Sequence, residues 1–254
     1  MATGRTTLKN YRIYVDGRDM SGYSRSFGPL ACTFEEGMDD SIDKDVKAVT
    51  LGNATVGMGT LNGIYDNTAS IGIHAHLQTA GVERTVLIGI GIQTPPVNND
   101  IAFMGTFNQN GYEVGGSDNP VTVSIPFANT SYGADNLYYA RPWGVLLHAL
   151  AAETAANTAV GLDQLAGTTA GGYMCYQVTA GDGTATLKVQ HSTTTNLDGS
   201  FGDLLSSGSI DFTGGGKFGI VQLAPTATVG RYVRFQIALG TATSVTFALA
   251  FVRG

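Results

Sequence analysis

The sequence predicts an all-β protein with one short helix, in which a β-sandwich or barrel domain is followed by a second β-sandwich domain. Three observations support this prediction. The 254-residue chain holds 35 glycines, about twice the usual share, as many tight turns between short strands require. Hydrophobic residues make up 43% of the chain and charged residues only 13%, which indicates a folded core. Several short segments alternate apolar and polar residues, the period of a half-buried strand.

Residues 1–150 are predicted to form the first β domain. Strands at 27–36 and 46–52 are predicted to pair as a hairpin with an acidic loop between them, and the glycine-spaced segment 55–66 is extended. The other strands predicted from alternation and turn residues are 11–16, 82–92, 101–109, 119–128 and 144–150.

The one helix is predicted within residues 66–81. Residues 66–68 (Asp, Asn, Thr) can each cap its start, and Gly81 can end it. Gly72 and the β-branched isoleucines in the segment lower its helix propensity, so a short helix is expected.

The amino-acid composition changes at residues 151–171, which are rich in small residues and nearly uncharged. We predict a linker here, leading into a C-terminal β-sandwich over 172–254. Alternation is clearest at 231–239, where every second residue from Val233 to Leu239 is apolar. The strands predicted in this domain are 172–180, 186–192, 217–224, 231–239 and 244–252.

Charge and hydropathy exclude some classes of function. The formal net charge is −6 and the sequence pI is about 5.0, which argues against a surface that neutralises phosphates. The first residues, MATGRTTLKNYRIY, contain no apolar signal core, and no stretch approaches about 18 apolar residues, so neither export nor a membrane span is expected. Cys32 and Cys175 lie far apart in sequence, and we expect two reduced thiols in a cytoplasm.

The most unusual segment is FEEGMDDSIDKDVKAV, residues 34–49, which is densely acidic in a chain with only 20 carboxylates. An EF-hand loop beginning at Asp39 or Asp43 would lack both the glycine at its sixth position and the glutamate at its twelfth. Catalytic carboxylates would need a walled, partly desolvated pocket, whereas Lys44 and Lys47 punctuate this run. The segment therefore predicts a solvated hairpin loop, with loose calcium binding as the alternative.

Motifs of catalytic families are present but incomplete. SIDK (41–44) and SDN (117–119) fit two elements of penicillin-recognising enzymes, but the Lys-Thr-Gly element has only KFG (217–219) as its counterpart. FTGGGKF (212–218) departs from the phosphate-binding loop pattern at two positions, so a glycine-rich hairpin is the better interpretation. We predict no enzyme, no catalytic residues and no cofactor.

The histidines and the single tryptophan give no site either. On a helix, His74 and His76 would point about 200° apart, which separates them as metal ligands. His148 and His191 stand alone in the sequence, so no metal site is predicted. Trp143 begins an apolar strand and is expected to be a core anchor.

Several stretches share an order of strands and turns with one family. YVDGRDMSGYSRSF (14–27) has an extended strand, a short turn and a second strand, and IAFMGTFNQNGYEVGGSDNPVTVSIPFANT (101–130) has the pattern of a later hairpin. YYARPWGVLLHAL (138–150) has the pattern of a closing strand. Together they resemble the tail tube, or major tail, proteins of long-tailed bacteriophages. The regions 188–205 and 231–254 are similar to the extra β modules of many actinobacterial-phage major tail proteins.

This resemblance implies a virion structural protein: a self-assembling tail tube subunit in the phage tail, assembled in the host cytoplasm. Such proteins form rings, commonly hexamers, whose inner sheets join around a channel for double-stranded DNA. The expected partners are the chain itself, other tail proteins, and DNA that passes without specific binding, with no membrane. Because the long hairpin loop of one ring typically reaches its neighbour, we hypothesise a contact between subunits through the acidic segment. The residues of this hypothesis are Glu35, Glu36, Asp39, Asp40, Asp43, Lys44, Asp45 and Lys47.

A different class of function is kept as the alternative. The C-terminal sandwich could belong to a capsid-decorating or carbohydrate-binding protein. Tyr173, Tyr176 and Tyr232 could then stack on sugars, although packing against a strand face explains them equally well.

Overall fold

A computed structural model describes residues 7–39, 48–116, 120–128, 141–214 and 216–254. In these ranges the chain forms twenty strands and one α-helix, α1 (Ile73–Leu77), with 3-10 turns at Leu8–Asn10 and Asp198–Ser200. The prediction of an all-β fold with one short helix is confirmed.

The strands fall into two series along the chain. The first series is β1 (Tyr11–Val15), β2 (Arg18–Asp19), β3 (Ser24–Phe27), β4 (Leu30–Asp39), β5 (Ala48–Met58), β6 (Leu61–Ile64), β7 (Val82–Ile90), β8 (Ile101–Gln109), β9 (Glu113–Gly115), β10 (Thr122–Ile125), β11 (Phe127–Ala128) and β12 (Trp143–Glu153). The second series is β13 (Asn157–Thr158), β14 (Leu162–Asp163), β15 (Gly172–Gly181), β16 (Thr184–Ser192), β17 (Gly202–Asp211), β18 (Lys217–Gln222), β19 (Tyr232–Leu239) and β20 (Val245–Arg253).

The helix is shorter than its predicted segment. Asp66 forms a turn at the start of the segment, where its Oδ1 accepts the Thr68 N–H at 2.6 Å. Gly72 then stands in an extended conformation as the N-cap, so regular helix begins only at Ile73. A Cβ on Gly72 would lie 2.5 Å from the Asp66 carbonyl oxygen, which explains why glycine occupies this position.

The largest sheet, sheet A, has nine strands in the order β18-β15-β20-β12-β8-β7-β1-β2, with β11 also paired to β8. Strands from both sides of residues 151–171 share it, because β12 pairs antiparallel with β20. The predicted linker contains the end of β12 and the short strands β13 and β14, both paired with β19. The division into two domains at this point stays a prediction, and sheet A is continuous across it.

One face of sheet A carries two apolar cores side by side. The first core packs β1, β7 and β8 against the base of β4–β5, sheet B (β3-β6-β10-β9) and α1. The second core packs β12, β15 and β20 against sheet D, which contains β13, β14, β19, β16 and β17. The two halves of this face are joined at Val145, which pairs with Ile101 on one side and with Phe251 on the other.

The opposite face of sheet A is buried by sheet A itself. It forms a third core from β1, β7, β8, β12, β15 and β20, in which Tyr14 and Leu87 are at most 2% exposed. The Tyr173 hydroxyl on β15 donates to the Met104 carbonyl oxygen on β8, although two strands separate β15 from β8 in the sheet. Sheet A therefore curls until its two ends meet across this third core, which we call the curl interior.

A buried polar network closes one end of the curl interior. The Gln177 side chain on β15 accepts the Gly17 N–H at 2.6 Å and donates to the Thr85 carbonyl oxygen on β7 at 3.0 Å. Asp16 Oδ1 accepts the Thr85 N–H at 2.8 Å. Gly17 has a φ of +76°, and a Cβ there would lie 2.8 Å from backbone atoms of Gly216. Only glycine therefore fits at position 17, where the turn after β1 packs against the opposite edge of the sheet.

Candidate inter-subunit hairpin

The β4–β5 hairpin is a sheet of its own. Its strands pair antiparallel from Leu30↔Met58 to Asp39↔Ala48, and neither strand pairs with another sheet in the described residues. Strands of 10 and 11 residues make a ribbon roughly 30 Å long at about 3.3 Å per residue. The loop predicted over 34–49 is too long, because β4 continues to Asp39 and β5 begins at Ala48, so the two strands take up both ends of that segment.

The predicted contact residues divide between the hairpin and the segment beyond it. Glu35, Glu36 and Asp39 lie on the distal half of β4. Those outside the described residues are Asp40, Asp43, Lys44, Asp45 and Lys47. The pairing register shifts between Phe34 and Glu36, and such bulges bend a ribbon and increase its twist. The contact role of all eight residues stays a prediction.

Two glycines meet at the root of the hairpin. The Gly28 N–H donates to the Thr60 carbonyl oxygen at 2.7 Å, and the Gly59 N–H donates to the Pro29 carbonyl oxygen at 2.9 Å. A Cβ on Gly28 would lie 2.7 Å from the Gly59 Cα. Pairing of β3 with β6 passes directly into pairing of β4 with β5 at this point. The hairpin therefore begins where the β3–β6 pairing of sheet B ends, and close approach of two backbones fixes its root.

Side chains on one face of the hairpin attach its proximal half to the body. Val56 and Met58 are 7% and 2% exposed in the first core, and Leu30 and Cys32 pack against the same core. Phe34 occupies the next position on this face, but it is 49% exposed. The apolar face of the ribbon thus extends past the core that buries it.

The structure adds no support for the incomplete catalytic motifs. SIDK (41–44) and SDN (117–119) lie outside the described residues, and KFG (217–219) opens β18. The predicted glycine-rich hairpin at 212–218 is wrong. The segment joins β17 of sheet D to β18 of sheet A, and these strands pair with β16 and β15 instead of with each other.

The described parts of the chain contain neither a cluster of metal-binding side chains nor a membrane-spanning helix. No group of three or more His, Cys, Asp or Glu in these ranges could hold a metal ion. Over the same ranges, no helix has the length and apolar character that a bilayer crossing needs. Cys32 and Cys175 form no disulfide with each other, and burial raises the pKa of Cys175 to about 12.

The two histidines of α1 contact different parts of the body. His74 Nδ1 lies 2.8 Å from the Tyr112 hydroxyl, and His76 Nε2 lies 3.0 Å from the Val15 carbonyl oxygen. Their separation agrees with the predicted helical geometry. Burial lowers the pKa of His76, because the cost of desolvating the charged ring outweighs its hydrogen bond to Val15.

Trp143 differs from its predicted role, whereas Tyr173 and Tyr176 follow the packing interpretation of the tyrosines. Trp143 is 43% exposed and meets Phe103 edge-on with ring centroids 5.0 Å apart, so it is a lid at the rim of the core and not an anchor within it. Tyr173 is 1% exposed in the curl interior, and Tyr176 packs against the second core. Tyr232 is half-buried, with Arg231 placed over its ring at 5.2 Å. These tyrosines do not form an exposed platform for stacking on a sugar.

One cluster was not predicted from the sequence. His148 and Glu153 on β12 lie 2.9 Å apart (Nε2 to Oε1) beside a groove of about 610 Å³, and Asn157 Nδ2 donates to Glu153 Oε2 at 2.9 Å. Residues five apart face opposite sides of a regular strand. The register of β12 shifts on both sides of His148, and these shifts bring the two side chains together. No local sequence pattern announces such a bulge.

Comparison with known proteins leaves the family open. No family model matches the chain, and no curated protein matches it. Among solved structures it is similar to the crystal structure of the SPP1 Dit (gp 19.1) protein, described as a paradigm of the hub adsorption apparatus in phages infecting Gram-positive hosts. The match has a TM-score of 0.34 and 11% sequence identity, and covers 96% of this chain and 99% of that chain. A TM-score of 0.34 does not establish a shared fold or function for this chain.

Proposed function

We propose that this chain is a virion structural protein, a tail tube subunit that assembles into stacked rings around a channel for double-stranded DNA. Its partners are further copies of itself, as a homohexameric ring, and other tail proteins. Its location is the phage tail, after assembly in the host cytoplasm. The β4–β5 hairpin carries the proposal, and the sequence resemblance to major tail proteins agrees with it.

The hairpin supports the proposal because Phe34 is exposed beyond the core that buries its proximal half, and because β4 and β5 pair only with each other in the described residues. A two-stranded ribbon is marginally stable in water unless a third strand or a packed face supports it. Its proximal half has this support from Val56 and Met58, whereas Phe34 beyond them is 49% exposed. Docking of the distal ribbon against a neighbouring subunit would supply the missing cover and would bury Phe34.

The charge of the chain supports passage of DNA without binding. With a net charge of −6, a channel built from this subunit lacks the excess of cations that would neutralise phosphates. Several cations are also held by acids of the same chain, including Arg84 by Asp16 at 3.0 Å and Lys188 by Asp203 at 2.6 Å. A non-adhesive wall suits a conduit better than a nucleic-acid receptor.

Negative-stain microscopy of the purified protein tests the proposal. We expect rings or tubes with a central hole, and Phe34→Ser should reduce tube formation while leaving a folded subunit. Val114→Ser is the matched control, since Val114 is 51% exposed on the edge strand β9, away from the hairpin. A protein that stays monomeric at every concentration, or equal loss of tubes in both variants, contradicts the proposal.

The acidic segment is tested separately. Changing Asp39, Asp40, Asp43 and Asp45 together to asparagine should leave the subunit folded, because solvated charges contribute little to stability. We expect shorter tubes and a lower yield, measured by microscopy and sedimentation. Glu113→Gln on β9 is a control for loss of a carboxylate elsewhere. Tubes of unchanged length and yield in the fourfold variant would show that the segment makes no contact between rings.

The alternative is a capsid-decorating or carbohydrate-binding protein. The burial of Tyr173 and the packing of the partly buried Tyr176 against the second core argue against the stacking platform that sugar binding needs. Absence of tubes together with measurable affinity for a glycan array would favour this alternative over the tail tube.

A further inference from the structure

The imidazole of His148 bridges two layers of the protein. It stacks on Phe247 of sheet A with centroids 4.1 Å apart, and it meets Phe235 of sheet D edge-on at 4.4 Å. Through Glu153 it is linked to Asn157, the first residue of β13, which pairs with β19 of sheet D. His148, Glu153 and Asn157, which we call the clasp, therefore hold the chain where it crosses from sheet A to sheet D.

The hydrogen bonds of the clasp require one ionisable proton. His148 Nδ1 lies 3.0 Å from the Phe247 carbonyl oxygen, which can only accept, so this ring nitrogen must carry a hydrogen. His148 Nε2 faces a Glu153 carboxyl oxygen at 2.9 Å, and one proton must also lie between these two atoms. A neutral imidazole has a single N–H and can satisfy only one of two acceptors. Without the extra proton, two lone pairs face each other.

Solvent protons can reach the clasp. The side chain of His148 is 4% exposed, but that of Glu153 is 18% exposed at the wall of the groove. Among the described groove-lining residues, these two are the ionisable ones. The adjoining loop contributes Asp100, whose Oδ2 accepts the Val97 N–H, and Arg234 on β19 points to the other face of sheet D, toward Gln190 and Asp198.

We propose that the clasp is a proton-dependent latch between sheets A and D. It is closed while His148 and Glu153 share a proton, and loss of that proton releases residues 154–160 and β13 from sheet D. Histidine side chains ordinarily change charge between about pH 5 and about pH 8, and this is the range over which the latch is tested. The latch is independent of ring assembly.

Hydrogen–deuterium exchange of the full chain tests the latch. After correction for intrinsic rates, exchange in 154–160 should rise about tenfold from about pH 5 to about pH 8, which corresponds to about 1.4 kcal/mol. The strand β16 (Thr184–Ser192) is the internal reference. Glu153→Gln should abolish the rise, because a glutamine amide can donate to a neutral Nε2 while its oxygen still accepts from Asn157. The control is Asp203→Asn, which likewise replaces a carboxylate by an amide, in the exposed pair with Lys188. This variant should keep the rise in exchange.

Two results overturn the latch. One is pH-independent exchange of 154–160 in the wild type, or the same rise in Glu153→Gln. The other comes from ¹⁵N NMR of the His148 ring, which counts its protons directly and does not depend on any variant folding. One protonated ring nitrogen together with an ionised Glu153 carboxyl, measured by ¹³C NMR, throughout the range in a protein whose 154–160 segment stays protected contradicts a shared proton.

Discussion

The curl interior and the β4–β5 hairpin are built from the same kind of strand but differ in what covers them. In the curl interior, residues such as Leu87 and Tyr173 are fully packed by other strands of sheet A. Along the hairpin, burial fades from Met58 at 2% exposure to Phe34 at 49%. A sheet that closes on itself buries its own apolar face, whereas an isolated two-stranded ribbon needs another surface to bury its apolar face. The difference separates the part that keeps the subunit folded from the part available to neighbours.

The largest expected effect distinguishes these regions by truncating one apolar residue in each. Leu87→Ala should lower the free energy of unfolding by about 2–5 kcal/mol, because it leaves a cavity in a closed core. Phe34→Ala should lower it by less than about 1 kcal/mol, since a half-exposed side chain loses little packing. Urea unfolding followed by Trp143 fluorescence measures both. Similar losses in the two variants would mean that the hairpin is part of the folding core.

A smaller effect is expected at the polar end of the curl interior. Gln177→Leu keeps the size of the side chain but leaves the buried Gly17 N–H without its acceptor. We expect a loss of about 1–3 kcal/mol in the free energy of unfolding. Gln78, exposed at the end of α1, provides the control, and Gln78→Leu should stay within about 0.5 kcal/mol of the wild type. Equal stability of the two variants would contradict a closing role for Gln177.

The smallest expected effect concerns the layer of α1. Burial lowers the pKa of His76, so the unfolded chain binds a proton at this residue more tightly than the folded chain. The stability contributed by neutral His76 is therefore fully present above about pH 6.5 and is lost as the pH falls toward the folded pKa. The loss is about 1.4 kcal/mol for each unit by which folding lowers this pKa. His76→Gln should flatten this slope, measured by thermal unfolding at several pH values.

The same series has an internal check. Burial also lowers the pKa of His191, so a weaker slope of the same sign should remain in the His76→Gln protein. A slope that is the same in the variant and in the wild type would contradict the burial of His76 against the body.

Local patterns predicted individual strands well where one face is buried. The segments predicted at 186–192, 231–239 and 244–252 correspond to β16, β19 and β20 within two residues at each end. Strand β17 was missed, since GDLLSSGSID is mostly polar and lies at the edge of sheet D. Alternation reports burial of one face, so a strand with little burial gives little signal.

Pairing between distant strands could not be predicted in the same way. The partnership of β12 with β20 joins residues about a hundred positions apart, and no local pattern specifies it. The clasp was hidden for a related reason, because His148 and Glu153 meet only through bulges of β12. The acidic segment, by contrast, was conspicuous in the sequence, and its contact role rests on the experiments above.

The pair Gly28 and Gly59 has a consequence for how such a protein can diversify. Their contact fixes the root of the hairpin through backbone atoms alone, and in the described residues β4 and β5 pair only with each other. Residues inserted or exchanged past this point would interrupt no strand pairing outside the hairpin among the described residues. Lineages can therefore change the length and charge of the arm while keeping one body. The same position offers an engineer a place to display a foreign peptide.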